Sequence, residues 1–161
     1  MILRRWRPGD RAPFAALNAD PVVMEHFPGP LTREESDAFI DRMEAFWKEH
    51  GYGIYAVEVP GEADCIGFVG ISLSPFKPEH DEIGWRLARP FWGRGYATEG
   101  ALAVLAQAFR ELRRDEIVSF TVPANVRSRR VMERIGMTHD PARDFDHPMF
   151  PPGHRLSRHV L

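Results

Sequence analysis

Residues 81 to 99, DEIGWRLARPFWGRGYATE, combine three local patterns, and the rest of the chain is arranged around them. Residues 82 to 87 favour a strand, and Pro90 then ends strand pairing. Three apolar residues share one face of that strand: Ile83, Trp85 and Leu87. From Thr98 onward, apolar residues recur at helical spacing. The stretch therefore predicts a strand, a glycine-bearing turn and the first turn of a long helix.

The turn has the features of an anion-binding site. Gly93 and Gly95 flank Arg94, so the backbone can turn sharply and expose several N–H groups. The helix behind the turn begins with unpaired N–H groups and a partial positive charge. A phosphate or pyrophosphate is therefore expected here, and Arg94 can add a charge-assisted hydrogen bond.

Two other nucleotide motifs compete for the same residues. A P-loop requires Gly-Lys-Ser/Thr, and no lysine lies near this turn, so that interpretation fails. A dinucleotide fingerprint would use Gly93 and Gly95, but it needs a third glycine where this chain has Thr98. It also needs an acidic residue after the next strand, and residues 117 to 121 run instead into Val-Pro-Ala. A nicotinamide-dependent oxidoreductase is therefore kept as an alternative function.

Two motifs resemble those of the GNAT superfamily of N-acetyltransferases. The run Trp-Gly-Arg-Gly-Tyr-Ala at residues 92 to 97 resembles its pyrophosphate motif, Gln/Arg-x-x-Gly-x-Gly/Ala. Trp92 stands where the family usually has Gln or Arg. The run from Asn125 to Ser128, followed by a helix that ends near Gly136, resembles the family's Asn-x-x-Ser/Ala motif. The resemblance covers nearly the whole chain, and its tail resembles the Rim-type branch, which acetylates ribosomal-protein N-termini.

This resemblance implies acetyl-CoA as cosubstrate, no metal, and direct attack of a primary amine on the thioester. The acceptor is either a protein N-terminus or a small amine. An N–H of residues 83 to 87 is expected to stabilise the oxyanion. The predicted cofactor-binding residues are Trp85, Leu87, Gly93, Arg94, Gly95, Tyr96, Ala97, Thr98, Asn125 and Ser128.

Two residues are candidates for proton transfer. Glu82 alternates away from the apolar face of its strand and lies near Gly84, where a bulge would let the cofactor arm pass. We predict Glu82 as general base, with a water-relayed base at Asp81 or His80 as the alternative. Ser128 is predicted as the acid that serves the leaving thiolate.

Met132 motivates a second alternative function. It stands where many family members carry a tyrosine that protonates the thiolate, and a thioether cannot donate a proton. A CoA-binding module without catalysis is therefore kept as the other alternative.

The order of predicted elements indicates one α+β domain over residues 1 to 161. A mostly antiparallel central sheet flanked by helices is expected, with a β-α-β acetyl-CoA-binding step over residues 81 to 121. Thr32 and Glu35 have capping-box form and begin a helix that extends to about residue 50. Asp20-Pro21 predicts one or two further helical turns through Met24.

Composition excludes several classes of partner. The 21 basic and 23 acidic side chains give a formal charge of −2, so no nucleic-acid partner is expected. No signal peptide or run of membrane-spanning length is present, so neither membrane association nor export is expected. A single cysteine, Cys65, suits a reducing cytoplasm, and its apolar neighbours indicate a core position. The expected partners are acetyl-CoA and an amine, and the chain is a monomer or homodimer.

Two regions are expected to line the acceptor cleft, residues 20 to 50 and residues 140 to 153. The second contains side chains of metal-ligand type: Asp144, Asp146, His147 and, just beyond it, His154. No helix presents them together, so we interpret this region as a structural or substrate-gate loop and predict no metal site.

Overall fold

The computed structural model of the protein describes residues 1–146 and 155–161. Its strands are β1 (Ile2–Arg4), β2 (Ile54–Glu58), β3 (Gly67–Leu73), β4 (Asp81–Leu87), β5 (Val118–Thr121), β6 (Thr138–His139), β7 (Phe145–Asp146) and β8 (Arg155–Val160). Its helices are α1 (Arg11–Ala19), α2 (Arg33–His50), α3 (Tyr96–Arg110) and α4 (Val126–Arg134).

The strands form one mixed sheet in the order β1-β2-β3-β4-β5-β8-β6, with β7 paired to β8. Among the described strands, only β4 and β5 pair in parallel, and α3 connects them. The predicted α+β architecture with one β-α-β step is therefore confirmed. A dinucleotide-binding domain would have a mostly parallel sheet instead.

Strand β4 has very different neighbours on its two sides. It pairs with β3 without interruption from Leu87 to Asp81. Its pairing with β5 is limited to one position, Glu82 opposite Val118. Gly84 was a possible site for a bulge, and the β3 pairing contains none there. The opening in the sheet arises because β5 diverges beyond Val118.

A separate apolar core lies on each face of the sheet, between the strands and the helices that pack there. On one face, α3 and α4 pack over buried residues that include Val69, Ile83, Leu87, Val104 and Met132. On the other, α1 and α2 pack over a core that includes Phe14, Leu17, Ile40, Cys65 and Phe68. Cys65 is buried as predicted, and burial raises the pKa of its thiol to about 11. Strand alternation therefore divides β4 between two environments.

Helix α2 begins and ends as predicted. Thr32 Oγ1 accepts a hydrogen bond from the Glu35 N–H, and the Glu35 carboxylate accepts one from the Thr32 N–H. At the other end, Gly51 takes a left-handed conformation with a φ of 75°. Both ends are fixed by residues within one turn of the helix, and for this reason they were predictable.

Other local predictions differ from the structure. The helical turns predicted after Asp20 form only in part. The Asp20 carboxylate accepts the capping hydrogen bond from the Val22 N–H at 2.8 Å, and the Met24 N–H donates to the Asp20 carbonyl oxygen at 3.0 Å, but residues 21 to 26 do not continue as a regular helix. Helix α3 begins at Tyr96, two residues before the predicted change of spacing. The short strands β6 and β7 were not predicted. Each has two residues, too few for a periodic pattern.

Gly70, at the centre of β3, allows β2 to approach closely. A Cβ atom built there would lie 2.3 Å from the Ile54 Cα and 2.6 Å from the Gly53 carbonyl oxygen. Backbone atoms of a paired strand cannot move aside without disturbing the ladder. A side chain at this position is therefore excluded by the pairing of β2 with β3.

We expect Gly70→Ala to reduce the free energy of unfolding by about 2–4 kcal/mol, as overpacking in a sheet core does. Gly84→Ala is the matched control, since Gly84 pairs with Gly70 and its added Cβ would meet its nearest atom only at 3.9 Å. Urea unfolding of both variants measures the effect. Equal stabilities for the two would contradict the packing argument.

Candidate active site

The turn before α3 exposes a row of backbone donors. None of the N–H groups of residues 93 to 98 donates a hydrogen bond to another described residue. Gly93 and Gly95 have φ angles of 73° and 86°, conformations that favour glycine. The side chains of Tyr96, Ala97 and Thr98 are half-buried beside this row. The turn therefore offers consecutive donors and a helix N-terminus to an anion.

Arg94 is not free to bind an anion in this structure. Its guanidinium forms a two-point ion pair with Glu62 of the β2–β3 hairpin, with Nη1 to Oε1 at 2.5 Å and Nη2 to Oε2 at 2.7 Å. It also lies 5.6 Å from the Phe91 ring centre and 5.1 Å from that of Tyr96. Arg94 holds the pKa of Glu62 below its usual value.

Trp92 has a structural role in the same turn. Its indole N–H donates to the Leu87 carbonyl oxygen at 2.7 Å and so ties the turn to the end of β4. The Arg127 guanidinium lies 4.5 Å from the indole ring centre and forms an ion pair with Glu25 at 2.8 Å. A residue that differs from the family pattern therefore keeps the turn in place by its own contacts.

The backbone of β4 faces the opening left by β5. The Ile83 carbonyl oxygen accepts a hydrogen bond from Ser119 Oγ of β5 at 2.9 Å, so this residue points its polar groups toward β5. Alternate residues of a strand point their N–H and C=O groups to the same side. Trp85 and Leu87 therefore direct backbone groups into the opening, while their side chains pack against the α3 core. The Leu87 side chain is buried in that core, whereas the Trp85 side chain is only partly buried.

The second motif lies at the start of α4, beyond the end of β5. The Asn125 side-chain oxygen caps the helix by accepting a hydrogen bond from the Ser128 N–H at 3.2 Å. Its side-chain NH₂ group donates to no described residue. Ser128 is half-buried, whereas Met132 is 1% exposed and belongs to the core. Because β4 and β5 are parallel neighbours, both motifs follow the same edge of the sheet.

Glu82 lies on the face of β4 opposite α3, beside the point where β5 diverges. Burial raises the pKa of its carboxyl group to about 7, an effect partly offset by hydrogen bonds from the Ser74 side chain and the Phe120 backbone. Its Oε2 atom is buried and has no hydrogen-bond partner among the described residues. The group can therefore take up and release a proton near neutral pH.

The alternatives to Glu82 have other partners. Asp81 accepts a hydrogen bond from the Tyr52 hydroxyl at 2.6 Å and lies 2.6 Å from Arg114 Nε. His80 Nδ1 is 3.3 Å from a Glu116 carboxylate oxygen.

The described carboxylates of the tail are also engaged by neighbouring residues. Asp144 accepts a hydrogen bond from the Arg158 N–H at 3.1 Å and contacts His139 Nε2 at 2.9 Å. Asp146 is 4.0 Å from Arg155 Nη1. His147 and His154, and with them most of the predicted gate loop, lie outside the described residues.

Sequence reasoning missed Arg86, the other charged residue on the Glu82 face of β4. Its Nη1 donates to the Asn18 side-chain oxygen at 2.7 Å, and its Cζ lies 4.1 Å from the ring centre of Phe27. The sequence offered one signal for Arg86: it lies two residues from Gly84 and four from Glu82, and so on the same face of the predicted strand. The contact with α1 and with the loop after it could not be predicted from local sequence.

The chain that carries this site matches a known protein family. Residues 1–138 match the acetyltransferase (GNAT) domain family. The chain belongs to the GNAT family of acetyltransferases. It is thus a member of a family of acyltransferase enzymes, and the predicted family membership is confirmed. The match is to the family as a whole and does not single out the Rim-type branch, which stays a prediction.

Individual relatives agree with this assignment. An acetyltransferase from Agrobacterium tumefaciens is 30% identical, with a TM-score of 0.81 over 99% of this chain and 88% of that one. The FsC-acetyl coenzyme A-N(2)-transacetylase of Aspergillus fumigatus is 32% identical over 76% of this chain, which spans 56% of that protein's length. A spermidine N-acetyltransferase from Vibrio cholerae, in complex with CoA and spermine, shares the fold at 19% identity and covers 99% and 93% of the two chains, with a TM-score of 0.77.

No helix in residues 1–146 and 155–161 is long and apolar enough to cross a membrane.

The Glu62–Arg94 ion pair competes with any anion bound at the turn. We expect Glu62→Gln to tighten CoA binding about twofold to fivefold, because exposed ion pairs contribute little and their loss releases Arg94. Calorimetric titration with CoA measures this change, with Glu34→Gln as an exposed-acid control. Weaker binding would instead indicate that the pair orders the turn.

The raised pKa of Glu82 links stability to pH. Between pH 4.5 and about 7, the folded protein binds more protons at Glu82 than the unfolded chain does, so this group's contribution to stability is lost as pH rises. The total loss is about 3 kcal/mol. Relative to wild type, Glu82→Gln should become more stable as pH rises through this interval.

Urea unfolding at pH 4.5, 6 and 8 measures this difference, and Glu34→Gln again serves as control. A difference between Glu82→Gln and wild type that does not vary with pH would show that Glu82 is not desolvated.

Proposed function

We propose that this chain transfers the acetyl group of acetyl-CoA to a primary amine by direct attack of the amine on the thioester. The row of unpartnered N–H groups at residues 93 to 98 carries this proposal, since it begins close to where β4 ends beside the β4–β5 opening. The Aspergillus relative, by name an acetyl coenzyme A N(2)-transacetylase, supports both the acetyl donor and nitrogen as acceptor atom.

The cofactor's pyrophosphate would bind the N–H groups of residues 93 to 98. Gly93 and Gly95 leave this surface open, with no atom within 4 Å of a Cβ added at either position. Tyr96, Ala97 and Thr98 provide the first N–H groups of α3, and Arg94 joins the site after it exchanges Glu62 for the anion. The free NH₂ group of Asn125 would donate to the pantetheine arm.

The β4 backbone would hold the arm and the thioester. A chain segment that enters the opening can pair with the N–H and C=O groups of Trp85, as an added strand does. The N–H of Trp85 or of Leu87 would stabilise the oxyanion, because both face the side from which β5 has diverged. The indole N–H of Trp92 donates to the Leu87 carbonyl oxygen, so the backbone N–H of Leu87 stays available.

Glu82 would accept the proton that the amine loses. The amine nitrogen forms a bond with the acetyl carbon, the carbon–sulfur bond breaks, and the leaving thiolate takes the proton of the Ser128 hydroxyl, which regains one from solvent water. A base with a pKa near 7 is suited to this task at neutral pH. Met132 lies in the core and has no hydroxyl group. Ser128, at the start of α4, is therefore the candidate acid on this helix.

A CoA-binding module without catalysis predicts the same cofactor site but no turnover. Release of CoA from acetyl-CoA in the presence of an amine therefore separates the two functions. A single domain, a cytoplasmic location, the absence of nucleic-acid and metal partners, and a monomeric or homodimeric state stay predictions from the sequence.

Gly95→Asp should abolish CoA binding, weakening it at least about 100-fold, because its carboxylate repels the pyrophosphate and a side chain is strained at this φ.

Ser128→Ala is the matched variant in the second motif, and it should bind CoA normally but lower kcat about tenfold or more. Calorimetry with CoA and assays of thiol release measure both effects. Unchanged affinity in Gly95→Asp would remove the pyrophosphate assignment, and unchanged kcat in Ser128→Ala would remove Ser128 as acid.

A further inference from the structure

Arg86 is a cation fixed among neutral groups on the acceptor face of β4. Its guanidinium carbon lies 4.1 Å from the ring centre of Phe27 and 5.6 Å from that of Phe68. Its Nη1 donates to the Asn18 side-chain oxygen at 2.7 Å, and Asn18 in turn donates to Ser36 Oγ at 2.9 Å. Aromatic rings and a buried amide therefore orient the guanidinium without neutralising its charge.

No carboxylate in residues 1–146 and 155–161 is paired with Arg86. Its contacts with Asn18, Phe27 and Phe68 are all with neutral groups, and burial lowers its pKa to about 10, so it stays charged at neutral pH. Residues 147 to 154, which lie outside the description, contain no Asp or Glu. Arg4 shows the contrast: it is also largely buried, but Asp10 and Glu58 lie 2.7 Å and 2.6 Å away.

The guanidinium also has unused hydrogen-bonding capacity. Nε of Arg86 is buried, and neither Nε nor Nη2 donates a hydrogen bond to a described residue. These two atoms form one edge of the guanidinium, the edge that matches a carboxylate with two parallel N–H donors. Buried donors without partners are rare in folded proteins and require an explanation. An anionic ligand would satisfy both the hydrogen bonds and the charge.

We propose that Arg86 binds a carboxylate of the acceptor, so that the acceptor is an amine that also carries a carboxylate group, as amino acids and their derivatives do. This inference rests on the acetyl transfer proposed above and specifies its substrate class. Glu82, Gly84 and Arg86 alternate onto one face of β4, opposite the core beneath α3. An acceptor lying over Gly84 would direct its amine toward Glu82 and its carboxylate toward Arg86.

A polyamine acceptor fits this face less well. Its second ammonium group would lie near an unpaired guanidinium, and like charges in a partly desolvated site repel strongly. Glu25, on the same loop as Phe27, is already paired with Arg127 at 2.8 Å. Arg86 therefore remains a positive charge without an acidic partner among the described residues, and this favours an anionic group at the Arg86 end of the acceptor face.

Matched pairs of acceptors test the inference. The full chain is assayed with acetyl-CoA and each proteinogenic amino acid, the corresponding amino-acid amide, short peptides with free or amidated C-termini, and spermidine. We expect kcat/KM to be at least about tenfold higher for the carboxylate member of the best pair, as a charged hydrogen-bonded pair provides. Arg86→Gln should remove this preference by lowering kcat/KM for the carboxylate member alone. CoA affinity, measured by calorimetry, should not change.

Arg42→Gln is the control, since Arg42 also lies over an aromatic ring, 5.9 Å from the Phe39 centre, but on the exposed side of α2. Arg86→Lys should recover part of the preference, because it keeps the charge without the two-donor edge.

The outcomes separate this inference from the proposed function. Equal rates for carboxylate and amide, or a preference for spermidine, would overturn the role of Arg86 and leave acetyl transfer intact. Acetyl-CoA binding without turnover of any amine in the panel would overturn both. The wild-type comparison of acid with amide requires no variant, so a folding defect in Arg86→Gln would not prevent the decision.

Discussion

The divergence of β5 from β4 is the constraint on which the rest of the site depends. The parallel strands β4 and β5 pair at one position only, Glu82 opposite Val118. The later backbone groups of β4 therefore have no neighbouring strand on the β5 side. Unpaired groups within a sheet are costly unless something pairs with them. The opening lies between two motifs that follow the ends of β4 and β5. A linear ligand can therefore place its anionic end at one motif and its arm along the unpaired edge.

The hydrogen-bond donors that the turn before α3 leaves free come mainly from the backbone. Arg94 and Arg127 are both near the turn, but each already has an acidic partner, Glu62 and Glu25 respectively. The N–H groups of residues 93 to 98 have none. Backbone donors keep their direction without the entropy cost of ordering a long side chain. This explains how the turn can accommodate Trp92 in place of a polar residue, since its indole holds the backbone and leaves the donors free.

Local rules accounted for the parts of the fold that depend on a few neighbouring residues. The capping box at Thr32 and the cap at Asn125 were predictable because donor and acceptor lie three residues apart. The cap at Asp20 was predictable for the same reason, whereas the extent of the helical turn after it was not, since it stops after one backbone hydrogen bond, from Met24 to Asp20. Gly84 was a possible site for a bulge, but the opening is produced by β5, and no residue of β4 records where its neighbour diverges.

Site residues that depend on tertiary contacts were less accessible from sequence. Trp85 and Leu87 were predicted to bind the cofactor, and the structure places the Leu87 side chain in the α3 core with the partly buried Trp85 side chain packed against it. Met132 looked like a missing catalytic residue and is a core residue. Arg86 was overlooked, since its environment comes from Asn18 and Phe27, more than 50 residues away in the chain.

Glu82 and Arg86 show how two buried charges on one strand face differ in their response to desolvation. They do not pair with each other, because four residues separate their Cα atoms by about 13 Å along a strand. Glu82 can relieve the cost by taking up a proton near pH 7. Arg86 cannot lose its proton at that pH, so its charge persists until an anion arrives. An acceptor with both an amine and a carboxylate would satisfy each residue in a different way. Its amine would transfer a proton to Glu82, and its carboxylate would form an ion pair with Arg86.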